Sequence, residues 1–307
     1  MKIVATGLQF PEGPVVMPDG SVVVTEIAGG TLRRIQPDGG SALLATPGGG
    51  PNGAALGPDG KLYVCNNGGL EFRTRDGVLR PIGASRDYAG GRIEVVDPET
   101  GKVEVLYDRC GEHRLAGPND IVFDAARGFW FTDSGKHHRR HSDHGGVYWA
   151  RADGSEIREV LYPLPYPNGI GLSPDGRELY VADTGSAQLW AWEVTGPGQL
   201  AKAPYPAPMG GRLVGGAPGF ARFDSLAVTA SGKVLVATIM DGSIHEFWPD
   251  GAACRRHPLP DLHVTNLAFG GDDMRTAYVT FSQSGALMAL RWREPGLRLN
   301  DERRSAR

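Results

Sequence analysis

The chain repeats itself, and the repeat limits the possible folds more than any other property of the sequence. The clearest copy spans residues 167–192, P-N-G-I-G-L-S-P-D-G-R-E-L-Y-V-A-D-T-G-S-A-Q-L-W-A-W. In it a short apolar run follows Asn168, Asp175-Gly176 supplies a two-residue turn, and a second apolar run ends at Asp183, the signature of a β-hairpin. Six segments align on this pattern, starting at the marker residues Glu12, Asn52, Asn119, Asn168, Asp224 and Asn266. Their turns fall at Asp19-Gly20, Asp59-Gly60, Arg127-Gly128, Asp175-Gly176, Ser231-Gly232 and, less cleanly, Gly271-Asp272. One such unit cannot bury its apolar face alone, so six of them in 307 residues predict a single closed array.

Each hairpin continues into a third run, at 31–35, 92–96, 146–152, 188–194, 243–248 and 286–292. A fourth follows in the first five units, at 42–45, 103–107, 157–161, 212–214 and 254–258. Four-stranded units repeated along a chain predict the blades of a propeller, which leaves only short strand edges exposed. The sixth unit has no good fourth strand, because R-E-P-G-L-R-L-N leads from it into a charged tail. The spare run at 2–6 has the right length to cover that edge, so the N-terminal strand is expected to close the last blade. Residues 1–293 are read as one domain and 294–307 as a charged C-terminal tail. Insertions at 69–91, 135–145 and 197–219, rich in Gly, Pro and charge, are expected to be loops.

The 45 Gly and 23 Pro sit mainly at turns between apolar runs, as many short strands require. A net charge of −3 with mixed signs gives no footprint for nucleic acid, and no basic amphipathic segment suggests a membrane surface. No run approaches the length of a spanning helix and the N-terminus lacks a long apolar stretch, so a cytoplasmic, soluble protein is expected, as a monomer or small homo-oligomer. The three cysteines are widely spaced and form no C-x-x-C pair, which points to neither a disulfide framework nor a thiolate metal site.

Because the turn begins seven or eight residues after the marker in all units but the last, where it comes sooner, the six markers should share one end of the innermost strands around the central channel. Glu26, Asn66, Asn67, Asp133 and Asp183 should return to that same rim. Asn and Asp at such points often only cap turns. Glu12 fits that explanation poorly, and two carboxylates crowded near one axis cost free energy unless a cation compensates them. Oxygen donors without imidazole or thiolate favour one hard divalent ion, calcium first, with magnesium, manganese or zinc also possible. The expected architecture is therefore an all-β, six-bladed β-propeller with a central metal-binding channel.

Four stretches carry a resemblance: F-P-E-G-P at 10–14, G-P-N-D-I-V-F-D at 117–124, Y-P-N-G-I-G-L-S-P-D-G at 166–176 and F-D-S-L-A-V at 223–228. Together they resemble the senescence-marker-protein (regucalcin)/gluconolactonase family, which is also similar to diisopropyl fluorophosphatase and more distantly to paraoxonase. The resemblance implies a six-bladed propeller whose channel metal is held by Glu12, Asn168 and Asp224, with Asn119 near it. It implies hydrolysis of a lactone, with the metal polarising the carbonyl and Asp224 handling the proton of the attacking water. Animal members carry an Arg two residues before the second motif's Asn, where Gly117 stands here, so their contact to a sugar lactone is not carried over. Asn52, Asn67, Asn266, Asp133 and His137 are further candidates to touch substrate. A phosphotriesterase-like hydrolase with Asp224 as nucleophile, or a non-catalytic metal-binding propeller, are the alternatives.

Other motifs carry less. H-H-R-R-H-S-D-H at 137–144 places His137 and His141 four apart, but in a Gly-bounded insertion, so a solvated cationic lid is expected in which Arg139 and Arg140 could steer an anion. No G-x-S-x-G nucleophile turn is present, and G-G-G-P-N-G at 48–53 lacks the Lys and helix of a phosphate loop. Trp190, Trp192, Trp248 and Trp292 recur in or just after third runs and are expected to pack between blades.

Overall fold

The computed structural model describes residues 1–138 and 140–299. Its strands form six antiparallel blades. From the axis outward, the first blade is Pro11–Val16, Val22–Glu26, Thr31–Ile35 and Ser41–Ala45, and the second is Pro51–Leu56, Leu62–Asn66, Arg92–Val96 and Val103–Tyr107. The third is Pro118–Phe123, Gly128–Asp133, Gly145–Arg151 and Ile157–Leu164. In the fourth, Pro167–Leu172, Glu178–Asp183 and Gln188–Gly196 are followed by two short outer strands, Gln199–Ala201 and Arg212–Gly216, which both pair with Gln188–Gly196. The fifth is Arg222–Val228, Val234–Ile239, Ser243–Phe247 and Cys254–Pro258.

Val264–Gly270, Thr276–Phe281 and Ala286–Arg291 make three strands of the last blade, and Lys2–Ala5 supplies the fourth by pairing with Ala286–Arg291. The ring is thus closed between the two ends of the chain, as the missing sixth fourth-strand required. Ala5 and Leu8 are buried with Val22, Val24, Ile35 and Leu287, so the closing segment also fills the seam between the last and first blades. Most of the apolar core lies in such seams. Phe123, Phe129 and Phe131 pack with Tyr63 and Ile93 between blades two and three, and Trp149 and Trp192 with Ile170 and Leu179 between three and four.

Two insertions expected as loops are structured. Leu70–Arg75 and Val78–Ala84 form a hairpin that arches over one end of the channel, and the 197–219 stretch contains the two outer strands of blade four. Six alternating residues in a Gly-bounded stretch are too weak a pattern to separate a hairpin from a loop. At the opposite end of the channel the chain after the last strand folds back across the axis. Leu297 N–H donates to Val228 O at 2.8 Å, Gly296 N–H donates to Met274 O at 2.7 Å, and Leu297 and Leu299 line the narrow apolar lower channel. All three cysteines are free. No helix among the described residues is long and apolar enough to cross a membrane.

Candidate functional site

The first hairpin of every blade departs from regular pairing at the marker. Regular register breaks between Glu12 and Val15, Pro51 and Ala54, Pro118 and Ile121, Pro167 and Ile170, Phe223 and Leu226, and Val264 and Asn266. A bulge re-aims the side chains it contains, and here five markers, Glu12, Asn52, Asn119, Asn168 and Asp224, line one cavity of about 550 Å³ beneath the hairpin. The sixth, Asn266, does not line it. Its Nδ2 donates to Glu12 Oε2 at 2.7 Å, and it thus orients a marker from behind.

The bulged backbone is held by hydroxyls from the neighbouring blade. Thr25 donates to Asn52 O at 2.6 Å, Thr132 to Asn168 O at 2.5 Å, Thr184 to Phe223 O at 2.6 Å and Ser282 to Pro11 O at 2.7 Å. The residue after the marker faces the next inner strand at backbone distance. A Cβ on Gly53 would lie 2.4 Å from Asn119 O, and one on Gly13 2.3 Å from Asn52 O, where φ is also +41°. The E-G and N-G pairs in the repeat are therefore a packing requirement.

The return residues Glu26, Asn66, Asp133 and Asp183 do reach the same rim, yet their side chains brace loops. Asp133 accepts from the amides of Ala116, Gly117 and Gly135 at 2.7–2.8 Å, and Asp183 from Tyr166 and Ser186. Asp133 does not line the cavity. Asn67 does, with its Oδ1 accepting from Gly69 N and Lys136 Nζ.

At the cavity floor polar groups are left without protein partners. The Oδ1 atoms of Asn52, Asn119 and Asn168 are buried and accept no hydrogen bond. Asn168 is turned so by its amide, which donates to Thr184 Oγ1 at 3.0 Å. Glu12 and Asp224 are buried beside them. Burial, and then the charge of Asp224, push the Glu12 carboxyl well above its ordinary range. Burial pushes Asp224 up to about 8, against the hydrogen bond it receives from Asn168. Asp120, behind the markers, is raised to about 7 by burial, although the amides of Ile121 and Ile170 donate to it. Unsatisfied buried oxygens cost about 1–3 kcal/mol each, and two ionised carboxylates in one dry site repel. A divalent cation would satisfy both deficits, so the residues present fit such an ion, and the all-oxygen set fits a hard one.

The 135–145 insertion differs from a fully solvated lid. Lys136 is buried in the cavity wall, its Nζ donating to Asn67 Oδ1 and Gly69 O at 3.0 Å, and burial pulls its ammonium down to about 7. His137 also lines the cavity, its ring 4.7 Å from that of Tyr166. It is His138, not His137, that meets His141, in a stacked pair whose ligand atoms lie within 4.8 Å of each other and of Asp143. Arg139 lies outside the described residues. Lys136, Tyr166, Arg80, Arg222 and His263 complete the wall. Tyr166 and Arg222 stand two residues before their markers, as Phe10 and Gly117 do before theirs, so the repeat also marks these wall positions. Lys136, Arg80 and His263 follow no such spacing.

The fold and the site define a closed six-bladed propeller with oxygen donors gathered at one end of its channel. The chain belongs to the SMP-30/gluconolactonase/LRE-like family, whose model matches residues 10–283. It is 28% identical over 221 residues to a gluconolactonase of Zymomonas mobilis, an alignment covering 64% of this chain and 56% of that protein. It is 27% identical over 237 residues to the diisopropyl-fluorophosphatase of Loligo vulgaris, covering 70% and 73%. In fold it is similar to the calcium-binding protein regucalcin of Agrobacterium tumefaciens, with a TM-score of 0.71, 20% identity and 97% of each chain covered.

Proposed function

We propose that the protein hydrolyses a lactone using one divalent cation held by Glu12, Asn168 and Asp224, with Asn119 beside them. The observation that carries this is the set of orphaned amide oxygens on Asn119 and Asn168, facing the same cavity as two buried carboxylates. The family includes relatives named as lactonases, which supports the reaction class. When bound, the cation supplies Lewis acidity toward the ring carbonyl and compensates the two carboxylates.

The chain's own groups do the rest. Of the two marker carboxylates Glu12 is held by Asn266 and Gly13, which leaves Asp224 to serve as general base while the water oxygen bonds to the carbonyl carbon. The ring C–O bond breaks, the ring oxygen takes up a proton, and a hydroxy acid leaves. Asn266 and Gly13, whose side-chain amide and backbone N–H donate to Glu12 Oε2, keep that carboxylate turned to the floor. Phe10, Tyr166 and the hairpin over the cavity mouth limit bulk water around the ester.

The experiment is direct. Protein stripped of metal by a chelator should lose turnover of a simple γ-lactone and regain it on addition of calcium, magnesium, manganese or zinc, tested singly. Full turnover by metal-free protein would overturn the proposal, and metal binding with no lactone turnover would make the channel ion structural.

A further inference from the structure

The cavity has two electrostatic halves. Glu12 and Asp224 are the acidic residues that line it, both at the floor, whereas Arg80, Lys136 and Arg222 line the wall above them. Among the described residues, neither Arg80 nor Arg222 has a carboxylate or hydrogen-bond partner. Elsewhere Arg33, Arg92, Arg212, Arg256 and Arg291 are each paired with an acidic side chain. With a divalent cation offsetting the floor carboxylates, two unpaired guanidiniums remain to face whatever enters.

Their placement is built into the fold. Arg222 and Asp224 belong to the inner strand Arg222–Val228, and Phe223 between them is fully buried in the seam core on the other side. Alternation puts Arg222 on the channel face, about 7 Å nearer the mouth than Asp224. It stands close enough to Tyr166 and His137 to act on the charge of both. Arg80 is carried by Val78–Ala84, whose Pro81, Ile82 and Gly83 also line the cavity. That strand is tied down by the Ala84 N–H, which donates to His137 O at 3.2 Å, and its hairpin partner Phe72 packs on Phe10 at 5.2 Å.

Resting on the lactonase reading, we propose that the substrate ring carries an oxyanionic substituent, a carboxylate or sulfonate, which Arg222 and Arg80 receive while the ring carbonyl lies at the floor. Guanidinium suits this role because its planar fork matches an oxyanion and its charge does not titrate. The carboxylate released by ring opening is a different group. It forms at the floor, one strand step below Arg222, whatever the ring carries.

The test compares three γ-lactones of one ring, bearing a carboxylate, a methylsulfonate or a carboxamide. All yield the same new carboxylate on hydrolysis, so the ratio of kcat/KM values isolates the substituent. The charged lactones should exceed the carboxamide by about tenfold or more at low salt, the usual worth of a charge-assisted hydrogen bond, and the ratio should shrink as salt rises. Arg222→Gln and Arg80→Gln should each lower the ratio about tenfold. Arg80 lies on the hairpin outside the blades, so its variant gives a reading even if Arg222→Gln unfolds. A ratio near one, or a ratio unchanged in the folded variants, overturns the inference while leaving lactonase activity intact. If no lactone is hydrolysed, the lactonase reading fails. The oxyanion site is then decided by calorimetry of pyroglutamate against its amide on calcium-loaded protein, where equal binding of both, or binding of neither, overturns it.

Discussion

Asn119 and Asn168 each hold a buried carbonyl oxygen out of any protein hydrogen bond, a cost of about 1–3 kcal/mol that has no return in the metal-free fold. Asp224 adds a second cost, and its sign can be worked out. A carboxyl raised to about 8 keeps its proton in the folded state while the unfolded chain has lost it above an ordinary value near 4. The folded form therefore binds more protons, and its stability falls as pH rises from about 4 through 8. Glu12, raised for the same reasons, acts in the same direction. The metal-free protein should accordingly lose stability between pH 5 and pH 8, and saturating calcium should raise Tm more at pH 8 than at pH 5, since the ion must displace protons. Thermal melts at the two pH values with and without calcium check this; an equal calcium shift at both would show that the carboxyls are not protonated without metal. Asp224→Asn keeps a ligand oxygen and the side-chain shape but removes the base. It should still bind metal yet lose about 10²-fold to 10⁴-fold in turnover. Metal occupancy and turnover measured on one sample decide it, and near-normal turnover with bound metal would remove Asp224 from the chemistry.

At the scale of the strand, the repeat separates two tasks. The marker bulges into the channel, and the return residue braces the loop beside it. Both positions were legible as sequence, because a turn at constant offset brings them to one rim. The distinction between them was not, since a bulge has no compositional mark here and a regular hairpin register would have treated Asp133 and Asn119 alike. The glycine after three of the markers makes the tight spacing testable. Gly53→Ala puts a methyl 2.4 Å from Asn119 O and 2.7 Å from Asp120 Cα, so it should cost about 1–3 kcal/mol and, by moving Asn119, weaken metal binding as well. A denaturant midpoint equal to that of the parent would mean that the inner strands can slide apart. The closing strand offers the complementary test. Lys2, Ile3 and Ala5 pair with Ala289, Met288 and Leu287, and removing residues 1–5 opens an edge and uncovers a seam. Tm should fall for the whole protein in one transition, and an unchanged Tm would contradict the pairing.

Taken as a whole, the molecule is a ring whose repeats account for the blades and whose departures from repetition account for the site's character. Six hairpins, the packing of Trp190, Trp192 and Trp292 in the seams and the closing strand could be anticipated from periodicity, whereas Trp248, expected beside them, is half-buried between Lys233 and Arg255. The hairpin over the mouth with its Arg80 and the buried Lys136 could not be anticipated, because each occurs once and its meaning depends on what lies across the cavity. Arg222 falls at a recurring position two before its marker, but its lack of a partner shows only in the fold. The back of the channel belongs to the same group of unrepeated features. Below the markers it narrows to about 100 Å³ of largely apolar space, with Leu297 and Leu299 among its lining. On the lactonase reading this stopper bears on the traffic of the reaction. A hydroxy acid formed at the floor would then leave by the front, the doorway through which the next ring enters, past Arg222 and Arg80. Substrate and product should then exclude one another, so the product acid should inhibit in a purely competitive manner, and initial-rate measurements at several product concentrations would reveal a second exit as a noncompetitive component.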